Sequence, residues 1–331
     1  MREGILRLSA PPHIISRSSV VGKHEFEGPL GSLFDLHDND DRFGMQTWEQ
    51  SEAEMQRQAF NIALAKAGLS PGDIDAVYAG DLMNQCISSA YGLLEYDVSF
   101  IGLYGACSTA AEALALAAMS VSAGYFERAA AVTSSHNCSA ERQFRFPLEY
   151  GGQRTPTSQW TVTGSGAFVL CANGKGPRIT EVMLGKTVDL GITDANNMGA
   201  AMAPAAADTI LRYFKTSGQS PEDFSLIATG DLGREGHSLL LELTKMEGLD
   251  ISRRCMDCGL LIYHLTKQDM HMGGSGCGCS AVALAAYLLR RLERGEYEKI
   301  LFVGTGALMS PLAVKQGRSI PGVAHLVRIE A

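Results

Sequence analysis

The chain has no uninterrupted apolar run near the ~18 residues that a membrane span requires, so any work at a membrane has to pass through partners. Excess positive charge is missing too: 28 Lys and Arg against 36 Asp and Glu leave a formal net charge of -8. Phosphate backbones would be repelled, which argues against nucleic acid as a partner. The start, Met1-Arg2-Glu3-Gly4, carries an early acidic residue and no long apolar core, so no secretion signal is expected. The eight cysteines, spread over 331 residues, do not resemble a disulfide framework, and a reducing compartment is the better expectation. Cys255-Met256-Asp257-Cys258 and Cys277-Gly278-Cys279 look superficially like a zinc site. The single residue inside the second pair is tighter than structural-zinc spacing, so small buried thiols are expected, with no metal and no cofactor.

What is present is an ordinary globular composition, 46% hydrophobic and 19% charged, in a chain long enough to bury a large core. Short apolar runs alternate with helical patterns. A short strand is expected near Ile14 to Val21, then a helix from Trp48 to Ala67 stopped by Gly68. Strands follow over Ile74 to Ala79, Ala129 to Thr133, Phe168 to Cys171 and Ile300 to Val303. This alternation predicts an α/β layered fold.

The second half repeats the first. Ser70-Pro71-Gly72-Asp73, leading to Gly80-Asp81-Leu82, recurs as Ser220-Pro221-Glu222-Asp223, leading to Gly230-Asp231-Leu232. Farther on, Gly124-Tyr125-Phe126-Glu127-Arg128 matches Gly295-Glu296-Tyr297-Glu298-Lys299, and Gly105-Ala106-Cys107 falls opposite Gly276-Cys277-Gly278. We therefore divide the chain into a half at 1–175 that carries Cys107 and a half at 176–331. A ligand site is expected between them, where strand ends and helix N-termini meet.

The centre of that expectation is Gly105-Ala106-Cys107-Ser108-Thr109. An apolar run ends there in small residues, and a helix of strong formers begins. The positive end of a helix macrodipole favours a thiolate or a bound anion, so thiol chemistry and anion capture are both open.

Duplicated α/β halves, a cysteine at the first-half strand-to-helix turn and a late Gly-rich loop resemble the thiolase superfamily of condensing enzymes. A narrower resemblance is to the stage V sporulation protein AD family. It is carried by Gly28-Pro29-Leu30-Gly31-Ser32-Leu33-Phe34, Ser134-Ser135-His136-Asn137, Ala140-Glu141-Arg142-Gln143-Phe144-Arg145, Met202-Ala203-Pro204-Ala205-Ala206-Ala207-Asp208 and Asp257-Cys258-Gly259-Leu260-Leu261-Ile262-Tyr263. The resemblance implies a thiolase-like α/β fold in layered αβαβα order, put to non-enzymatic use. It implies binding of dipicolinic acid (pyridine-2,6-dicarboxylate), alone or with Ca2+, for passage into the developing spore. The implied partners are membrane subunits of the SpoVA complex, and the implied place is the cytoplasmic side or periphery of the forespore or spore inner membrane. By the same analogy the chain is expected to be a homodimer.

Condensing enzymes activate their cysteine with a histidine and a second histidine or asparagine from the second half. Here the corresponding blocks read Gly230-Asp231-Leu232-Gly233 and Gly273-Gly274-Ser275-Gly276-Cys277. A carboxylate beside Cys107 would raise the thiol pKa and oppose the helix dipole, so the catalytic equipment reads as dismantled. No catalytic residue is assigned. The alternative is an active acyltransferase with Cys107 as nucleophile and His136 as base.

The candidate ligand-binding residues are Cys107, Ser108, Thr109, His136, Asn137, Arg142, Arg145, Asp231 and Ser275, with Lys186 a weaker one. The helix start at Ser108-Thr109 could offer backbone N–H groups to a carboxylate. Arg142 and Arg145 offer planar forks for a rigid dicarboxylate, beside Phe144 and Phe146 for stacking; the competing reading pairs them with Glu141 or Glu149. His136 either donates to a ligand or caps a strand end. Asp81 and Asp231 either cap their turns or face the cavity and draw in Ca2+ with the ligand.

Overall fold

The computed structural model describes residues 4–143 and 154–331. In the first half the elements in chain order are β1 (His13–Val21), α1 (Trp48–Ala67), β2 (Ala76–Gly80), α2 (Ile87–Gly92), β3 (Ser99–Gly102), α3 (Thr109–Ser122), β4 (Arg128–Ser135), α4 (Asn137–Glu141), β5 (Trp160–Thr161) and β6 (Gly164–Cys171). The second half contains β7 (Arg178–Met183), α5 (Met198–Ser217), β8 (Leu226–Thr229), α6 (Gly233–Met246), β9 (Cys255–Asp257), β10 (Gly274–Ser275), α7 (Cys277–Ala283), α8 (Leu289–Glu293), β11 (Lys299–Ala307), α9 (Pro311–Lys315) and β12 (Gly322–Glu330). A π-helical turn, Leu284–Leu288, joins α7 to α8.

Local sequence accounts for the matched elements. Helix α1 starts at a Thr47–Gln50 capping box and ends at Gly68, whose φ of 67° only glycine adopts without strain. Helix α5 ends in the same way at Gly218. Ser70 and Ser220 then each cap a one-turn 3-10 helix, Pro71–Asp73 and Pro221–Asp223, in the same hydrogen-bonding pattern. Each turn delivers a short strand buried along its whole length, β2 and β8.

The main sheet runs β9-β8-β11-β12-β7-β1-β6-β4-β2-β3. β2, β3 and β4 are parallel to one another, as are β8, β9 and β11, while β6 and β12 run antiparallel to their neighbours. The two halves of the path meet where β1 touches β7 through His13 and Arg178. Helix α3 packs on β2 and β4 of one half and on β11 and β12 of the other. Helix α7 packs beside it, and α1 and α5 cover the outer faces, giving α-β-α-β-α layers. The mixed α/β architecture expected from sequence is the one observed. The correspondence of halves is loosest between β9 and α7, where the second half inserts residues 258–273.

Alanine is the core residue of the central layer. Ala110, Ala111, Ala113, Ala115, Ala117 and Ala118 of α3 are all buried. Such small side chains let the helix lie close to both half-sheets.

Two glutamates are fully buried. Glu25 accepts from the Thr163 N–H at 2.9 Å and from the Tyr263 hydroxyl. Glu52 accepts from Ser134 and Ser139 at 2.8 and 2.6 Å. Burial, with a smaller contribution from Asp41 or Asp81, pushes each from 4.5 up to about 8. The folded chain thus holds protons that the unfolded chain releases. Their stabilising contribution is full below the ordinary carboxylate range and is lost as pH rises through about 8. The melting temperature is expected to fall between pH 7 and pH 9, and Glu52→Gln to make that fall shallower; parallel wild-type and variant profiles in differential scanning calorimetry would contradict this.

Candidate functional site

Cys107 sits on a bend between β3 and α3 that its neighbours hold. Ala106 has a φ of 51°, and the hydroxyls on either side of the turn fix it. Ser108 Oγ donates to Gly105 O at 2.6 Å, while Thr109 Oγ1 donates to Ala106 O at 2.6 Å and accepts from the Gly105 N–H at 3.0 Å. The Ser108 and Thr109 N–H groups bond back to Gly105 O and Ala106 O. The second half presses on this bend: a Cβ added at Gly306 would collide with Gly105 O.

The residue that meets the thiol from the second half is Asp231. Strand β8 ends at Thr229, and Asp257 holds the following turn by accepting from the Leu232 and Gly233 N–H groups at 2.8 and 3.0 Å. Asp231 accepts from the Gly276 N–H at 2.7 Å and the Thr305 hydroxyl at 2.8 Å, and shares a hydrogen bond with the Cys107 thiol. Burial first, then the Asp231 charge, push the thiol well above its usual range. Burial holds the Asp231 carboxyl up at about 7, against the pull of Cys107, Gly276 and Thr305. The helix dipole loses this contest because its effect is modest beside the loss of water around a fully enclosed sulfur.

Above Cys107 lies a cavity of about 310 Å³. Cys107, Ala106 and Ala307 line it, with Thr161, Ser275 and Gln159 as polar neighbours. Gln159 Nε2 donates to Asp231 O at 2.7 Å and to Gly274 O at 2.9 Å, so the amide ties the Asp231 turn to β10. Tyr104 and Leu82 come from the first half; Met309 and Lys315 lie before and on α9. Among the described residues on these walls, Lys315 is the one cation and Glu141 the one carboxylate.

Of the candidates from sequence, Cys107 and Ser275 line this cavity, and Asp231 lies against the thiol. The others are placed differently. Ser108 and Thr109 are fully buried, and their hydroxyls and N–H groups are committed to the bend, so neither offers an anion site. His136 is also buried and is the cap of α4: Nδ1 accepts from the Cys138 N–H at 3.2 Å, leaving Nε2–H to donate to Asp41 O at 2.9 Å. Its ring is therefore neutral and unavailable as a base for Cys107. Asn137 donates from its backbone to Thr163 Oγ1 at 3.2 Å and contacts Thr161 O and Glu141. Arg142 forms an ion pair with Glu49 of α1, a partner that neither expectation from sequence included. Arg145, with Phe144, Phe146 and Glu149, lies outside the described residues. Asp81 caps its turn, accepting from the Met83 N–H and from Ser89, and does not line the cavity. Lys186 is also absent from these walls.

Sequence reasoning missed Gln159, Tyr104 and Lys315. Gln159 follows an unremarkable Thr-Ser pair, and Lys315 closes a short helix far from any motif, so no spacing marks either.

Arrangement and chain order together define a thiolase-like condensing-enzyme fold. Solved structures agree. OleA of Xanthomonas campestris, in its cerulenin-bound crystal structure, superposes with a TM-score of 0.60 at 15% identity, over 97% of this chain and 97% of that one. The 3-oxoacyl-[acyl-carrier-protein] synthase III of Aquifex aeolicus VF5 gives 0.57 at 14% identity, over 97% of this chain and 100% of that one. At such identities the comparison speaks of the fold alone. Within that class the sequence is more specific: the chain belongs to the Stage V sporulation protein AD (SpoVAD) family, whose profile matches residues 3–330. It is 43% identical over 320 residues to Stage V sporulation protein AD of Bacillus subtilis (strain 168), covering 97% of this chain and 94% of that one.

The Cys107 environment gives a direct expectation. In the folded protein at pH 8, iodoacetamide should modify Cys107 at least about tenfold more slowly than a free cysteine. Asp231→Asn should speed the reaction by removing the charge that opposes the thiolate. Peptide mass mapping reads both, and rapid labelling of the wild-type residue would refute the assignment.

Proposed function

We propose that this chain is a non-enzymatic binding protein for dipicolinate, acting with the membrane subunits of the SpoVA complex in its uptake into the developing spore. The observation that carries the reading is the Asp231–Cys107 contact. The second half brings a carboxylate to the thiol where a condensing enzyme needs a basic histidine, so the sulfur stays protonated. The cavity remains, with room for a small aromatic acid. In this reading Lys315 meets one carboxylate, Ser275 and Thr161 donate hydrogen bonds, and the Tyr104 ring packs on the pyridine.

None of the helices in the described residues is long and apolar enough to cross a membrane, which fits a peripheral role for the chain at the spore inner membrane. A homodimer is part of the proposal. Strand β3 is an edge of the sheet and exposes Phe100, with Leu94 and Tyr91 exposed nearby, so a second copy would cover them. Light scattering on the purified chain measures this, and a monomer at micromolar concentration would remove that part.

The ligand is tested by calorimetric titration with dipicolinate, with and without Ca2+. Saturable binding is expected, weakened about tenfold by Lys315→Ala. Because the neutral form of Asp231 does not repel an anion, affinity should be higher at pH 6 than at pH 8. Asp231→Asn should keep the pH 6 affinity at pH 8. Absence of binding, or a stable acyl adduct on Cys107 after incubation with acyl-CoA, would instead favour the acyltransferase reading.

A further inference from the structure

Away from the central cavity, and sharing no residue with it, a second cleft of about 300 Å³ is lined by Arg17, Asp35, Lys66, Ala285, Arg290, Glu293 and Arg294. It opens between the C-terminal end of α1 and the π-helical turn that leads into α8. Its lining carries four cations and two carboxylates, an excess of two positive charges in a chain whose net charge is -8.

Both carboxylates are already taken. Glu293 is held by both terminal nitrogens of Arg17, whose Nε donates to Ala285 O at 2.7 Å. Asp35 pairs with Lys66 at 2.6 Å and accepts from the Ser19 N–H at 2.9 Å. The remaining two cations have no such partner in the cleft. Arg290 spends one N–H on Leu33 O at 2.8 Å and has no ion pair among the described residues. Among those residues Arg294 reaches only Glu296, at 3.9 Å, and Glu296 is held more closely by Arg291 at 2.5 Å.

Arginines near a helix C-terminus complement the macrodipole, which by itself explains their presence. It does not explain an open cleft of about 300 Å³ beside them, nor why Arg290 and Lys66 are each anchored by a backbone carbonyl at its rim. Anchoring fixes the direction of the free N–H groups before any ligand arrives, which is how a guanidinium fork is made ready for an oxyanion. The π-helical turn that contributes Ala285 is itself a rare departure, often found at functional sites.

We propose that this cleft binds a phosphate group through Arg290 and Arg294. A doubly charged phosphate cancels the excess of two, whereas a single carboxylate leaves half of it. The shared chemistry covers free orthophosphate and a phosphomonoester lipid headgroup such as that of phosphatidic acid.

The full chain is titrated calorimetrically with orthophosphate in phosphate-free buffer, with chloride at matched ionic strength as the blank. In parallel it is sedimented with phosphatidylcholine vesicles with and without phosphatidic acid. Saturable orthophosphate binding without pelleting assigns free phosphate; pelleting that orthophosphate displaces assigns the headgroup. In either case Arg294→Glu, at an exposed side chain whose reversal leaves the fold in place, should weaken binding at least about tenfold. Arg290→Lys, which keeps the charge but loses the fork, should weaken it less. Binding that survives Arg294→Glu unchanged overturns the proposal, as does failure of both orthophosphate and phosphatidic acid vesicles to bind.

Discussion

The contact between the Asp231 carboxyl and the Cys107 thiol depends on most of the chain being where it is. One partner comes from each half. The thiol is presented by a bend that Ser108 and Thr109 tie down. The carboxyl is held by Gly276, Thr305 and, through the Leu232–Gly233 turn, by Asp257. Gly306 is needed so that β11 can lie against the bend at all. With water excluded, the thiol is pushed well above its usual range and stays protonated, while the carboxyl is held up at about 7.

Within a condensing-enzyme fold, that arrangement keeps the thiol protonated. In the layered fold, the strand-to-helix bends of both halves converge on one cavity, which suits a nucleophile and its base. Here the second half meets the thiol with an acid, Asp231, and the first-half candidate, His136, is consumed as a helix cap. What is left at the cavity is a modestly polar wall with one lysine and one glutamate among the described residues. The stronger concentration of uncommitted positive charge lies elsewhere, in the cleft beside α8.

Buried carboxyls recur through the interior: Glu25, Glu52, Asp81, Asp231 and Asp257 are each almost wholly enclosed. Hydroxyls and backbone N–H groups, rather than cations, hold them. Burial raises all five, and Glu25 and Glu52, at about 8, keep a proton near neutral pH, since hydrogen bonds from neutral donors only partly replace the lost solvation. The interior is therefore sensitive to pH on the alkaline side, and Cys107, on the cavity wall, touches that network through Asp231.

The duplicated halves, the α/β class, the bounds of α1 with its Gly68 stop, and the place of Cys107 before a helix were all legible in the residues. These follow from capping residues, glycine stops and apolar periodicity, which act over a few residues and leave a local record. Legible too was a carboxylate, Asp231, brought beside Cys107 and raising its thiol pKa. Which side chains meet was settled only by the folded chain. Arg142 found Glu49, His136 found Asp41 O, and the Ser108 and Thr109 hydroxyls closed their own turn, because each partner arrives from a distant element or a bend that no spacing encodes. Gln159 and Lys315 reached the cavity for the same reason. Chain pattern fixes the elements; long-range packing chooses the neighbours, and a binding site is made of neighbours.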